Sequence, residues 1–182
     1  MTSLTALFRR MLHGMLPAAC KTCGMPLTDD PNPFFCRSCW GHITPLAGPV
    51  CPRCGRPFAS ATALTHSPRH LCGACRVHKP AYTLARSAYP YRPPLQDAIR
   101  LFKYQRKVTL APALGDLLCA RAHLLEFAEL LIPVPLHPSR LREREFNQAL
   151  LLADRLARHT GLPCDPHNLV RRRDTPSQTE LS

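Results

Sequence analysis

The chain has 182 residues and a formal net charge of +12 at pH 7, which leaves room for one ordinary domain and a small one. No apolar run reaches the roughly 18 residues of a membrane-spanning helix, so the sequence argues against that class of protein. A basic balance is typical of proteins that bind nucleic acid, anionic lipid or phosphorylated ligands, and equally of a charged surface that only confers solubility.

Residues 1–16 predict an amphipathic helix. Their large apolar side chains repeat at helical spacing on one face, whereas Arg9, Arg10 and His13 lie elsewhere on the helix. These basic residues interrupt the only apolar N-terminal stretch, so no signal peptide is predicted and we expect a cytoplasmic protein. The helix is expected to pack against the rest of the chain, with contact to a membrane surface as the alternative.

Residues 17–80 contain four Cys-x-x-Cys pairs, which predict two four-cysteine zinc sites. The motif Cys-x-x-Cys-Gly-x-Pro begins at residue 20 and recurs at residue 51, and each copy is followed by a second, plain pair. This repeat favours sequential sites over an interleaved arrangement. The predicted ligands of the first ion are Cys20, Cys23, Cys36 and Cys39, and those of the second are Cys51, Cys54, Cys72 and Cys75.

Other interpretations of these cysteines fit the sequence less well. Disulfides need an oxidising compartment, redox motifs usually occur singly, and an iron–sulfur cluster is a minor alternative. His66 and His70 lie in the longer gap and could serve as ligands, although four cysteines already complete each site. A closed four-thiolate zinc has no open position for a substrate, so the prediction is two structural zinc ions. Their binding would stabilise a module that contains few large apolar side chains.

Residues 81–182 show helix and strand signals in alternation. Residues 82–91 predict a strand, and Pro93–Pro94 open a helix with Leu95, Ile99 and Phe102 at core spacing. Further elements are predicted as a helix over 111–128, a buried strand over 129–134, a helix from about Phe146 to His159 ended by Gly161, and the start of a strand at Leu169. Such alternation favours an α/β domain with a mostly parallel sheet.

The loop after the strand over 129–134 is rich in arginine and precedes a helix, a position where α/β folds bind ligands. Guanidinium groups and helix N-termini both suit phosphate, although a solvated basic loop would look similar. This loop is part of the third of four motifs that occur along the chain in a characteristic order. They are Pro17-x-x-Cys20-x-x-Cys23-Gly24 with the paired ribbons, Tyr89-x-Tyr91 running into Ile99-x-x-Phe102-Lys103-Tyr104, Pro133-Val-Pro-Leu-His137-Pro-x-Arg140-x-x-x-Arg144-x-Phe146-Asn147-Gln148, and Arg171-x-Arg173-x-Thr175-x-x-Gln178.

With these motifs the chain resembles the ComF family of competence-associated, phosphoribosyltransferase-like proteins over nearly its whole length. The resemblance implies that residues 81–182 form the N-terminal part of a type I phosphoribosyltransferase fold, a glycosyltransferase-class enzyme fold. It also implies phosphoribosyl pyrophosphate (PRPP) as the ligand, Mg²⁺ with it, a bacterial source, and a link to DNA uptake. By resemblance, the phosphate-binding residues are Lys103, Leu136, His137, Ser139, Arg140 and Arg144, and the flexible loop contains Arg171, Arg173, Thr175 and Gln178. The sequence identifies no catalytic residue.

Two departures from the family pattern argue against turnover. Glu145 stands where the family usually has glycine, which places a carboxylate beside the expected pyrophosphate site and restricts a backbone position needed for turning. The family's PRPP loop, a strand followed by two acidic residues and a Thr-Thr-Gly-type turn, has no counterpart in residues 1–182. The sequence therefore predicts an inactive fragment of the family's fold.

A second hypothesis is a binding module without enzymatic activity. The zinc ribbons would bind single-stranded DNA or a partner protein, such as another DNA-uptake protein, and the α/β part would be a scaffold. Arginine and an aromatic side chain can hold phosphate and stack on bases. The candidate residues are Arg37, Trp40, Arg53, Arg56, Arg69 and Arg76.

Overall fold

The computed structural model describes residues 18–27, 30, 32–60, 62–65 and 67–175. The helix predicted over 1–16, the candidate ligand His66 and the candidate loop residue Gln178 lie outside the described residues. In its described parts the chain forms two compact units, one of Met1–His42 with Arg92–Ser182 and one of Ile43–Tyr91. The first four-cysteine segment therefore belongs to the same unit as the C-terminal helices, and the second belongs to the other unit.

Seven α-helices are present among the described residues, and most are short. In chain order they are α1 (Arg37–Gly41), α2 (Thr62–Thr65), α3 (Gly73–Val77), α4 (Leu95–Tyr104), α5 (Ala111–Cys119), α6 (Pro138–Arg144) and α7 (Gln148–Thr160). Two 3₁₀ turns, Val108–Leu110 and Ala122–Leu125, flank α5. In the part of the chain that the structure describes, no helix has the length and apolar content required to cross a membrane.

The core of the first unit is built from the buried face of α4 and the segment that leads into α5. Its fully buried or nearly buried apolar side chains are Leu95, Ala98, Leu101, Phe102, Leu110 and Leu114. The ring of Phe102 packs on that of Phe146, with centroids 5.4 Å apart. The predicted helix is confirmed with Leu95 and Phe102 in the core, whereas Ile99 is only partly buried.

Helices α5 and α7 pack closely because Gly115 lacks a side chain. A Cβ at Gly115 would lie 2.6 Å from Cγ of Arg155. The Arg155 guanidinium also donates to Asp116 Oδ1 through Nε at 3.0 Å, and this ion pair raises the pKa of Arg155. Gly161 ends α7 at φ 76° with its N–H on the carbonyl of Ala157, as the sequence predicted.

The helix predicted over 111–128 was too long. It ends at Cys119, where the N–H of Arg121 bonds the carbonyl of Leu118 at 2.9 Å and tightens the last turn. A separate 3₁₀ turn, Ala122–Leu125, follows. The spacing of leucines continues through both pieces, so hydrophobic periodicity alone could not locate the break.

The described residues contain no strand, and the mostly parallel sheet is therefore not confirmed. Residues 129–134 form no strand, and Ile132 and Val134 are 43% and 66% exposed, not buried as predicted. A single parallel bridge joins Leu131 to Cys164, with bonds from Leu131 N to Pro163 O and from Asp165 N to Leu131 O at 2.9 Å each. Residues 82–91 and the predicted strand start at Leu169 are irregular. An extended segment with one short neighbour has few ladder partners, which accounts for its exposure.

The second unit is held by its cysteines. Its core consists of Cys51, Cys72 and Cys75, against which Cys54, Phe58 and Leu71 pack. The ring of His70 lies 5.8 Å from that of Phe58. Such a small apolar core offsets little chain entropy, so this unit depends on what its thiols bind.

Candidate functional site

Two clusters of four cysteines are the best-defined sites in the molecule. The sulfurs of Cys20, Cys23, Cys36 and Cys39, and separately those of Cys51, Cys54, Cys72 and Cys75, lie within 4.8 Å of one another. All ten cysteines are free thiols. The sequential pairing predicted from the repeat is therefore confirmed, and disulfides are excluded in this structure.

The sulfur spacing fits a tetrahedral zinc ion. The Sγ atoms of Cys23 and Cys36 are 3.8 Å apart, and those of Cys54 and Cys72 are 3.6 Å apart. Four thiolates at about 2.3 Å from a zinc ion stand roughly 3.8 Å from each other. Both clusters are thus compatible with structural zinc, and His70 is not part of either group.

Each site begins with the same turn, which we call a knuckle: residues 20–24 in the first site and 51–55 in the second. In both, the glycine N–H bonds the carbonyl of the first cysteine at 2.9 Å. Gly24 and Gly55 have φ of 74° and 70°, a region that side chains disfavour. The repeat in the sequence is therefore a repeat of backbone geometry.

The second cysteine pair of each site stands at the start of a short helix. Cys36 precedes α1 and Cys72 precedes α3. The backbone N–H of Cys36 approaches Sγ of Cys20 at 3.4 Å, and that of Cys72 approaches Sγ of Cys51 at 3.5 Å. These N–H groups stabilise negative charge on sulfur, as zinc ligands require.

Within each site, at least one thiol has a lowered pKa and another has a raised pKa. Burial raises the pKa of Cys20 and of Cys51, but backbone N–H groups of the same site more than offset it and lower each pKa to about 6. The pKa of Cys39 is raised to about 12, first by its contact with Cys23, and that of Cys75 to about 12, first by burial. Four crowded sulfurs cannot all carry charge alone, whereas a divalent cation would favour four thiolates.

A further cluster, of polar side chains, forms where the predicted phosphate-binding loop meets the predicted flexible loop. His137 caps α6 and its Nδ1 lies 2.8 Å from Oγ of Ser139. Ser139 Oγ donates to Oδ2 of Asp174 at 2.6 Å, and His137 Nδ1 is 3.5 Å from the same oxygen. Because a carboxylate only accepts, the serine hydroxyl is the donor to Asp174. His137 Nδ1 accepts from the Ser139 N–H where it caps α6, and it can donate to these oxygens only when the proton is on Nδ1.

Basic side chains surround the Asp174 carboxylate. The hydrogen bond from Ser139 lowers the pKa of Asp174, burial opposes this, and the charges of His137, Arg140 and Arg171 lower it further. Arg140 also donates to Glu143 at 2.9 Å. Asp174, which follows three arginines in the sequence, was not among the predicted site residues.

Other predicted phosphate-site residues lie elsewhere. Leu136 is half-buried beside His137, and Lys103 is exposed in the last turn of α4. The Arg144 guanidinium lies 5.3 Å over the ring of Tyr104 and donates to Gln148 Oε1 at 3.3 Å. The described contacts therefore give Arg144 a role in packing.

The predicted flexible-loop residues are described as far as Thr175. Arg171 donates through Nη2 to Thr175 Oγ1, and Arg173 is exposed.

The Phe-Asn-Gln part of the same motif also serves the fold. Asn147 caps α7 by accepting from the N–H of Ala149 at 2.9 Å, and its amide donates to the carbonyl of Val134 at 3.2 Å. Gln148 is 5% exposed. These bonds tie the helix to the extended segment that leads into the His137 loop.

Glu145 follows α6 in the left-handed region, at φ 69°. The turn that glycine would favour is thus present, with a side chain in place. The Glu145 carboxylate is paired with Arg106, which itself has φ of 53°. The carboxylate expected to disturb the phosphate site is therefore engaged by a guanidinium.

The proposed DNA-binding residues are divided between the two units. Trp40 packs on Phe35 with centroids 5.5 Å apart and lines a groove of about 480 Å³ in the first unit with Asn32 and Leu117. Arg37 shares that unit, whereas Arg53, Arg56, Arg69 and Arg76 belong to the other. Arg53 donates to the carbonyl of Pro80 at 3.2 Å, which is a structural contact.

Comparison with known proteins agrees with the two cysteine clusters. Residues 11–76 match the family described as "Double zinc ribbon domain". DNA utilization protein YhgH of Escherichia coli (strain K12) is 32% identical over 174 residues, which cover 92% of this chain and 72% of that protein. Competence protein F of Haemophilus influenzae is 30% identical over 162 residues, with 82% and 70% covered. Competence protein ComFC of Bacillus subtilis is 28% identical over 150 residues, with 73% and 55% covered. No solved structure matches the chain significantly.

Proposed function

The chain belongs to the ComF family, and from that premise we propose that it is a zinc-stabilised, phosphoribosyltransferase-like protein that binds PRPP and serves the use of incoming DNA. Relatives are named for competence and for DNA utilization, which supports the DNA context. We also propose a cytoplasmic location, because reduced four-cysteine sites suit a reducing compartment.

The observation that carries the PRPP proposal is the contact of Ser139 and His137 with one carboxylate, that of Asp174, whose pKa is also lowered by the charge of Arg140. Hydroxyl, imidazole and guanidinium groups that hold a carboxylate are equally suited to the oxygens of a phosphate. The charge of Arg171, in the predicted flexible-loop segment, also lowers the pKa of Asp174. Mg²⁺ would arrive with the pyrophosphate group, because it prefers phosphate oxygens supplemented by one or two carboxylates. The proposal covers binding of PRPP and does not include catalytic turnover.

Calorimetric titration of the zinc-loaded chain with PRPP and Mg²⁺ tests the proposal. We expect saturable heat with wild type and about tenfold weaker binding with Ser139→Ala, since a charge-assisted hydrogen bond is lost. Ser87→Ala is the matched control, because Ser87 is exposed in the other unit. Heat no greater than that of buffer, or equal losses in the two variants, would count against PRPP binding at this site.

A second function is supported by the groove at Trp40. We propose that single-stranded DNA stacks a base there, with backbone phosphates near Lys107, whose Nζ lies 5.8 Å from the ring centroid of Phe34. A gel shift over a series of salt concentrations should show retardation that Trp40→Ala weakens. Unchanged mobility at low salt would exclude direct DNA binding.

A further inference from the structure

The Asp174 carboxylate occupies a place built for an anion. It accepts from Ser139 Oγ at 2.6 Å and faces His137 Nδ1 at 3.5 Å, with Arg140 and Arg171 close enough to act on its charge. Its side chain is 47% exposed, so the carboxylate lies at the surface end of the cluster. A ligand could reach the same donors from solvent if this carboxylate moved away.

The segment that carries Asp174 is separate in sequence from the groups that it contacts. Asp174 lies 35 positions after Ser139, and residues 171–175 belong to no helix or strand. Arg171 donates to Thr175, so the segment also closes on itself. An irregular segment with this internal contact can leave the loop at His137 without unwinding a helix.

We propose that Asp174 is a built-in competitor for the phosphate site, a latch whose carboxylate holds the donors of His137 and Ser139 until a phosphorylated ligand displaces it. This inference rests on the proposed function, because it assumes that the same donors take phosphate. It adds a regulated step: binding of the ligand and release of residues 171–175 become one exchange reaction. The freed segment, with Arg171 and Arg173, would then be available to cover the bound phosphate.

Carboxylate and phosphate compete here because they use the same donor geometry. Both accept charge-assisted hydrogen bonds from hydroxyl, imidazolium and guanidinium groups. A phosphate group presents more oxygens and more charge, so it can displace the carboxylate at sufficient concentration. The apparent dissociation constant is raised in inverse proportion to the open fraction of the protein. A latch closed in about nine molecules of ten weakens ligand binding about tenfold.

The test compares wild type with Asp174→Asn and Asp154→Asn in the zinc-loaded chain, by calorimetric titration with inorganic pyrophosphate at fixed ionic strength. Asparagine keeps the size of the side chain but removes its charge. Asp154 is an exposed residue of α7, and its substitution changes the net charge by the same amount. We expect Asp174→Asn to bind pyrophosphate about tenfold more tightly than wild type, and Asp154→Asn to remain within about twofold of wild type.

The outcomes separate the latch from the phosphate site. Equal binding by all three proteins would overturn the latch and leave the site intact. Absence of binding in all three, Asp174→Asn included, would overturn the site and the latch together. Amide hydrogen exchange gives a second measurement. Exchange in residues 171–175 should accelerate with Asp174→Asn or with pyrophosphate, and unchanged exchange in both cases would contradict the latch.

Discussion

Two glycines at equivalent positions of the zinc knuckles, Gly24 and Gly55, differ in the space around them. Both have a left-handed backbone, with φ of 74° and 70°. A Cβ at Gly24 would meet nothing within 4 Å, whereas one at Gly55 would lie 2.6 Å from the backbone oxygen of Ala85. Ala85 is itself fixed by a 2.7 Å bond from its N–H to the carbonyl of Arg53. The same substitution therefore has two different physical costs.

Gly24→Ala should cost only the left-handed strain, about 1–2 kcal/mol. Gly55→Ala adds an overpacking cost of about 1–3 kcal/mol, because the neighbour is backbone and cannot rotate away. Zinc binding and folding are coupled in such sites. The second site of Gly55→Ala should thus lose about tenfold to a hundredfold more zinc affinity than the first site of Gly24→Ala.

Zinc retention under a competing chelator measures this difference. Alkylation of the released cysteines, followed by peptide mass spectrometry, assigns each lost ion to residues 20–39 or 51–75. We expect the 51–75 cysteines of Gly55→Ala to react at much lower chelator concentration than the 20–39 cysteines of Gly24→Ala. Equal losses, or a larger loss with Gly24→Ala, would refute the contribution of Ala85.

Three further variants test the packing, the cap and the metal. Gly115→Ala should lower stability in a urea melt by about 1–3 kcal/mol despite better helix propensity, because its Cβ would lie 2.6 Å from Cγ of Arg155; the control Gly41→Ala, with nothing within 4 Å, should not show this loss. Asn147→Ala should cost about 0.5–2 kcal/mol through loss of the α7 cap, and an unchanged thermal midpoint would argue against that role. Cys51→Ser should reduce the zinc content from two ions to one by atomic emission, and full retention of both would contradict the ligand assignment.

The zinc sites could be predicted from sequence because their geometry is local. Two residues between thiols set each turn, and the repeat at residues 20 and 51 indicated which pairs combine. Helix α4 was equally accessible, since Leu95 and Phe102 keep helical spacing and both are buried. In each case a short stretch of chain contains the information that the structure uses.

The strands could not be predicted with the same success. A short apolar run such as residues 129–134 favours an extended backbone, but here only Leu131 makes a β-bridge. A sheet, however, also needs neighbours that no local pattern specifies. The bridge between Leu131 and Cys164 joins positions more than 30 residues apart.

The role of Asp174 could not be predicted for the same reason, because it depends on a contact with Ser139, 35 positions earlier in the sequence. As a residue between Arg173 and Thr175 it carried no signal of its own. Only the folded chain shows a carboxylate among hydroxyl, imidazole and guanidinium groups.

The ion pair between Arg106 and Glu145 bears on which residues related proteins carry at these two positions. Both are side-chain-bearing residues in the left-handed region, at φ 53° and 69°, and their side chains form an ion pair. A return to glycine at 145 alone would relieve one backbone and leave Arg106 strained without its partner. We therefore expect the two positions to vary together among relatives: where glycine stands at the position of Glu145, the position of Arg106 should carry glycine or asparagine.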